Sequence, residues 1–171
     1  MNFLQSRLLN CLFGKSGSAT TSMTTGIYLN GIANGEANAN LIHGCYVADV
    51  SGVGIYISTG WNNTLSETVI EVTGQEAIHI DGGLQTNIHN VYIERTWEGN
   101  TPTGNESLIK TSNNATTADG VYVVNITGGV FQTSAGVSGG YFLEAGGNAI
   151  VNVKIDKINT LLNNSKTPGI Q

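Results

Sequence analysis

The sequence predicts an all-β fold, a solenoid of stacked parallel strands, and three observations carry that reading. The hexamers "IHGCYV" (42–47), "LSETVI" (65–70) and "IHNVYI" (88–93) share one pattern and start 23 residues apart. A second series keeps step with them: "GIYI" (54–57) and "AIHI" (77–80) are again 23 apart, and "GIYL" (26–29) precedes them by 28. Each period holds two short runs rich in Ile, Val and Tyr, with the in-and-out alternation of a strand. Two independent motifs on one fixed period of this length mark a solenoid.

Taken in order, the chain divides into three. In residues 1–25 the apolar positions 3, 4, 8, 9, 12 and 13 match a helical stripe. This stretch is read as a short amphipathic helix that caps the first coil or anchors the chain, followed by a Ser/Thr-rich linker. Residues 26–158 form the β-helix, with Gly, Asn, Ser and Thr as turn residues between strands. Asn40, Asn63 and Asn87 fall near equivalent corners, and Asn tolerates the left-handed backbone such corners need. Past Glu94 the period is disturbed: 95–106 and 111–120 are loop-like, with "SLIK" between them as a strand. "VNITGGVF" resumes the pattern, Ile126 lying 38 residues after Ile88, and 139–158 supply one more coil. About six coils at the inter-strand spacing span roughly 28 Å. Residues 159–171 are a C-terminal tail without a recognisable cap. Solenoid ends expose core and strand edges, so an oligomer, a partner or further chain is expected there.

Composition narrows the function classes. Charged residues are 11% of the 171, against about 25% in an average domain. The missing polarity is neutral: 23 Gly, 20 Asn and 19 Thr, a surface that hydrogen-bonds well and carries little field. A net charge of −5 with seven Lys and Arg argues against nucleic acid, which is held by clustered cations. The two cysteines, Cys11 and Cys45, lie in no C-x-x-C motif, and no zinc-type spacing occurs; neither a metal site nor a disulfide framework is expected. Cys45 is expected as a small buried hydrophobe. No cofactor motif is present. No apolar run approaches the ~20 residues of a membrane span, and the N-terminal stretch lacks a signal peptide's basic start and cleavage site.

Candidate functional residues follow from the period. Glu71 and Glu94 are one period apart, stacked at about the inter-strand distance, and two close carboxyls are what glycoside hydrolysis requires. Asp81 closes "AIHID" at a strand-to-turn boundary and is a third candidate. Tyr46 and Tyr92 share an outward column with Val69 between them, Tyr56 lies on another face, and Trp61 sits in a turn. Arg95, Trp97 and Glu98 begin the long insertion, the first choice for a groove wall because rigid scaffolds carry function on loops. Aromatic planes suit the C–H faces of sugars, and amides and hydroxyls suit their hydroxyl groups. His43, Ser66 and His89 form an outward polar column. It is read as exposed surface, since no carboxylate is placed to orient either histidine. His79 lies outward beside Tyr56.

"NIHNVYIE", "GVGIYIS" and "IHGCYVADV" resemble coils of the right-handed, single-stranded parallel β-helix of the pectate-lyase-like superfamily. The phrase N-V-Y-hydrophobic-E is similar to those in phage tailspikes and tail fibres, over roughly 26–158. That resemblance implies a homotrimer that binds, and often cleaves, bacterial surface polysaccharide, located in the virion tail or outside the cell. The N-terminal segment would join other tail proteins. The superfamily's galacturonase phrases "NTD", "DD", "GHG" and "RIK" are absent, as is its pectate lyase phrase "WiDH". The expected function is therefore host attachment through polysaccharide. The alternatives are a depolymerase, hydrolase rather than lyase, and a structural virion component without its own ligand.

Overall fold

The computed structural model describes residues 6–14, 23–30, 38–58, 60–82, 85–97, 107–112, 122–133, 141–146 and 149–154. Sixteen strands follow one another along these residues, and no helix occurs among them. In chain order they are β1 (Arg7–Leu9), β2 (Leu12–Gly14), β3 (Ile27–Leu29), β4 (Leu41–His43), β5 (Tyr46–Val50), β6 (Ile55–Ile57), β7 (Asn63–Ser66) and β8 (Val69–Thr73). Then come β9 (Ile78–Ile80), β10 (Gln85–His89), β11 (Tyr92–Thr96), β12 (Ser107–Thr111), β13 (Tyr122–Thr127), β14 (Val130–Thr133), β15 (Tyr141–Ala145) and β16 (Ala149–Lys154).

The chain visits three parallel sheets in rotation. Sheet A has the order β1-β4-β7-β10-β13-β16, sheet B β14-β11-β8-β5-β2 and sheet C β15-β12-β9-β6-β3. Every third strand is thus a neighbour, the connectivity of a parallel β-solenoid. The 23-residue period is the register itself: Ile42 pairs with Leu65 and Leu65 with Ile88 in sheet A, and Ile55 with Ile78 in sheet C. Inward positions carry the core. Ile42, Leu65, Ile88 and Ile126 stack in sheet A, Val47, Ile70, Ile93 and Phe131 in sheet B, and Ile55, Ile78, Ile109 and Leu143 in sheet C. All twelve are essentially inaccessible to solvent, and each such side chain contributes about 1.5–3 kcal/mol of burial.

Left-handed residues make the corners between sheets A and B: Asn10, Gly44, Glu67, Asn90 and Gly128 have φ between 48° and 64°. Glycine stands at two of these corners for a reason. A Cβ on Gly44 would meet Asn10 Oδ1, and one on Gly128 would meet Asn90 Oδ1. Gly44 and Gly128 therefore leave room for the asparagine one coil before each of them. Asn90 Nδ2 also donates to Glu67 Oε1 at 3.0 Å, fastening two corners together.

Two expectations are corrected. The N-terminal helix does not form over 7–14. These residues are β1 and β2, paired with β4 and β5 through Leu8↔Ile42 and Phe13↔Val47. Leu8, Cys11 and Phe13 pack against the core while Leu9 and Leu12 face out. The left-handed Asn10 resets the alternation between the two strands, so two period-2 runs imitate a helical stripe. Residues 1–5 and 15–22 lie outside the described residues, as do 155–171 with the whole C-terminal tail. The asparagine corner column is also displaced by one. The left-handed residues are Ala39 and Asn62. Asn40 and Asn63 follow them and turn inward, Asn40 Nδ2 donating to Asn63 Oδ1 at 2.9 Å. Asn63 pairs with Thr86, not Asn87. Asn87 faces outward and accepts from Asn125 Nδ2 at 2.9 Å, which in turn accepts from Asn152 at 3.1 Å.

Candidate functional site

Candidate residues collect on the outer faces of sheets B and C. On sheet B the outward column is Leu12, Tyr46, Val69, Tyr92 and Val130, each the register partner of the next. Two residues further along the strands, Ala48, Glu71 and Glu94 form a second column. Glu71 and Glu94 are direct Cα partners in neighbouring parallel strands, about 4.8 Å apart. The Tyr92 hydroxyl donates to Glu94 Oε2. That bond, with burial behind it, pushes the Tyr92 hydroxyl up to about 12. The Tyr46 hydroxyl is pushed up as well, first by burial and then by the neighbouring Glu71 carboxylate. Two tyrosines thus flank two carboxylates on one face.

The backbone aims this group. Val72 has φ 53° and Asp49 φ 54°, inside β8 and β5. A β-branched residue in the left-handed region is an outlier. Val72 follows Glu71 directly and matches Asp49 one period earlier. One period later, between Ile93 and Thr96, the register of β11 with β14 shifts. Strain of this kind gathers at functional positions.

On sheet C the outward column is Tyr28, Tyr56, His79, Lys110 and Glu144. Tyr28 and Tyr56 meet edge to face with centroids 5.2 Å apart, and Tyr56 and His79 lie 4.9 Å apart. Asp81 is buried here and accepts twice, from Tyr56 at 2.9 Å and from Ser112 at 2.6 Å. With the Ser112 hydroxyl given to Asp81, His79 Nε2 donates to Ser112 Oγ at 2.7 Å. The serine stands between the histidine and the aspartate. A nucleophilic triad instead needs the histidine between serine and carboxylate, so this chain of hydrogen bonds holds structure together. Lys110 Nζ closes the column, 3.1 Å from Glu144 and 3.9 Å from the buried Glu76. Burial holds the His79 imidazole below its usual range, against the pull of Glu76 and Asp81. Burial, then the bond to Asp81, raises the Tyr56 hydroxyl well above its usual range.

The structure therefore brings Glu71 and Glu94 together with Tyr46 and Tyr92, and brings Asp81 to Tyr56 on a different sheet. Trp61 lies in the turn between β6 and β7, its side chain exposed and its backbone N–H donating to Asn38 Oδ1 at 3.0 Å. Trp97 is half-buried, and its indole N–H donates to the Ser107 carbonyl at 3.0 Å. This bond joins the two ends of the insertion, whose residues 98–106, Glu98 included, lie outside the described residues. Arg95 belongs to β11, with its side chain outside the description. The His43, Ser66 and His89 column is outward and in register, with Ser66 Oγ 2.9 Å from His43 Nδ1, and His89 bonded to Thr127. The sequence reading passed over Tyr28, Lys110 and Ser112. Tyr28 was visible in "GIYL". Lys110 and Ser112 follow a spacing of 31 from His79 and Asp81, off the period.

Among the described residues no three His, Cys, Asp or Glu gather as metal ligands, and no helix is long and apolar enough to cross a membrane. In comparisons with protein-family models, curated proteins and solved structures, nothing matches this chain.

Proposed function

We propose that this chain is a right-handed, single-stranded parallel β-helix of about six coils, one for each strand of sheet A. It binds bacterial surface polysaccharide as a tailspike- or tail-fibre-type attachment protein and works as a homotrimer. The observation that carries the reading is the group on sheet B: two tyrosines, two strands or about 10 Å apart, flanking a register-matched pair of glutamates. Like charges directly opposite in a sheet are destabilising. A local rule broken without structural gain marks a position kept for function. Tyrosine faces pack on sugar rings while carboxylates accept from sugar hydroxyls.

A second reading, hydrolysis by Glu71 and Glu94, draws on the same pair, since retaining enzymes hold their carboxyls about 5–5.5 Å apart. Against it, the Tyr92 hydroxyl already engages Glu94 Oε2. Retention on immobilised bacterial surface polysaccharides tests the proposal. The chain is expected to bind at least one of them without releasing reducing ends, and Tyr46→Ala with Tyr92→Ala to weaken binding at least tenfold. Failure of the wild type to bind any of them contradicts it.

A further inference from the structure

The two cysteines are 34 residues apart in sequence, off the 23-residue period, and the structure stacks them. Leu9 pairs with His43 before the corner and Leu12 with Tyr46 after it, so the same offset holds through Cys11 and Cys45. The Tyr46 N–H donates to the Cys11 carbonyl at 2.8 Å. Their side chains point alike. Cys11 Sγ donates to the carbonyl two residues back, Leu9, at 3.4 Å, and Cys45 Sγ approaches its own counterpart, His43, at 3.6 Å. One passage further on, Thr68 makes the same contact to Ser66 at 3.0 Å. Cys45 Sγ also leans back to the first passage, 3.4 Å from the Leu8 carbonyl.

We propose that Cys11 and Cys45 form a reversible disulfide that ties the first passage of the chain to the second. Stacked Cα atoms lie about 4.8 Å apart, inside the 4.4–6.8 Å range of disulfides. The Cβ atoms must draw to about 3.5–4.5 Å. The first passage allows it, because β1 and β2 are the terminal strands of sheets A and B. Exposure sets the order of events: Cys11 is half-buried and Cys45 buried. The Cys11 thiolate attacks a small-molecule disulfide such as glutathione disulfide, forming a mixed disulfide and releasing one glutathione thiolate. The Cys45 thiolate then attacks Cys11 Sγ, and the second glutathione thiolate leaves. The two cysteine protons end on the two glutathiones. The residual strain favours reduction, so the link opens in excess thiol.

Intact-mass measurement of the folded chain in glutathione redox buffer tests this. The expected result is loss of two hydrogens with no glutathione adduct and a Cys11–Cys45 cross-linked peptide on digestion. Thermal unfolding should move up by about 5 °C or more, reversed by dithiothreitol. Cys45→Thr, which copies Thr68, should leave Cys11 carrying glutathione, and Cys11→Ser should abolish the cross-link. If oxidised wild type keeps both thiols free, holds glutathione on Cys11, or links two chains through Cys11, the proposal is overturned. The wild-type result stands alone if either variant fails to fold.

Discussion

Sheets B and C present outer faces of the same kind, yet they satisfy themselves differently. On sheet C, three of the four steps along the column from Tyr28 to Glu144 are attractive: ring on ring, ring on imidazole, and Lys110 against Glu144. Its buried carboxylate, Asp81, holds two hydroxyls. On sheet B, the register sets Glu71 against Glu94, and Val69 separates the two tyrosines. The first face is complete without a ligand. The second sets two carboxylates in neighbouring strands with a left-handed valine beside them, costs that the proposed ligand would offset. Self-satisfied polar networks indicate structure, and frustrated ones indicate use.

The comparison is broken hardest at Asp81. Asp81→Ala strands the Tyr56 and Ser112 hydroxyls and is expected to cost about 3 kcal/mol in denaturant unfolding, with polysaccharide binding by the folded fraction unchanged. A loss under 1 kcal/mol would mean that sheet C is not held together by this network. Glu71→Gln should act in the opposite sense. Removing one of two like charges raises stability by about 0.5 kcal/mol while weakening polysaccharide binding, whereas destabilisation would show that the pair is structural.

The smallest effect is read by titration. The Tyr92 hydroxyl rises from the ordinary 10.0 to about 12 in the folded chain. Its stabilising share is whole below pH 10 and lost as pH climbs to about 12, because the unfolded chain gives up that proton first. Tyrosinate absorbance should show one tyrosine ionising earlier in Glu94→Gln than in wild type. Superimposed curves would remove the Tyr92–Glu94 bond from the account.

Much of this was legible in the sequence because stacking turns sequence period directly into register. Ile42, Leu65 and Ile88, Glu71 with Glu94, and Tyr46 with Tyr92 could all be placed from spacing alone. What escaped was wherever the passage length departs from 23. Cys11 and Cys45, and His79 and Lys110, are partners at spacings of 34 and 31. Asn10 hid the first two strands by resetting their alternation. Hydrogen bonds were not legible at all, because spacing puts Asp81 near Tyr56 but does not choose Ser112 as its second donor.

The most direct test of the central claim is amide chemical-shift mapping of the folded chain against an oligosaccharide cut from a polysaccharide that it retains. The account predicts perturbations centred on β5, β8 and β11, at Tyr46, Glu71, Tyr92 and Glu94, with Tyr28, Tyr56 and His79 unmoved. Perturbations confined to β3, β6 and β9 would contradict it, placing the binding face on sheet C and leaving the glutamate pair without a purpose.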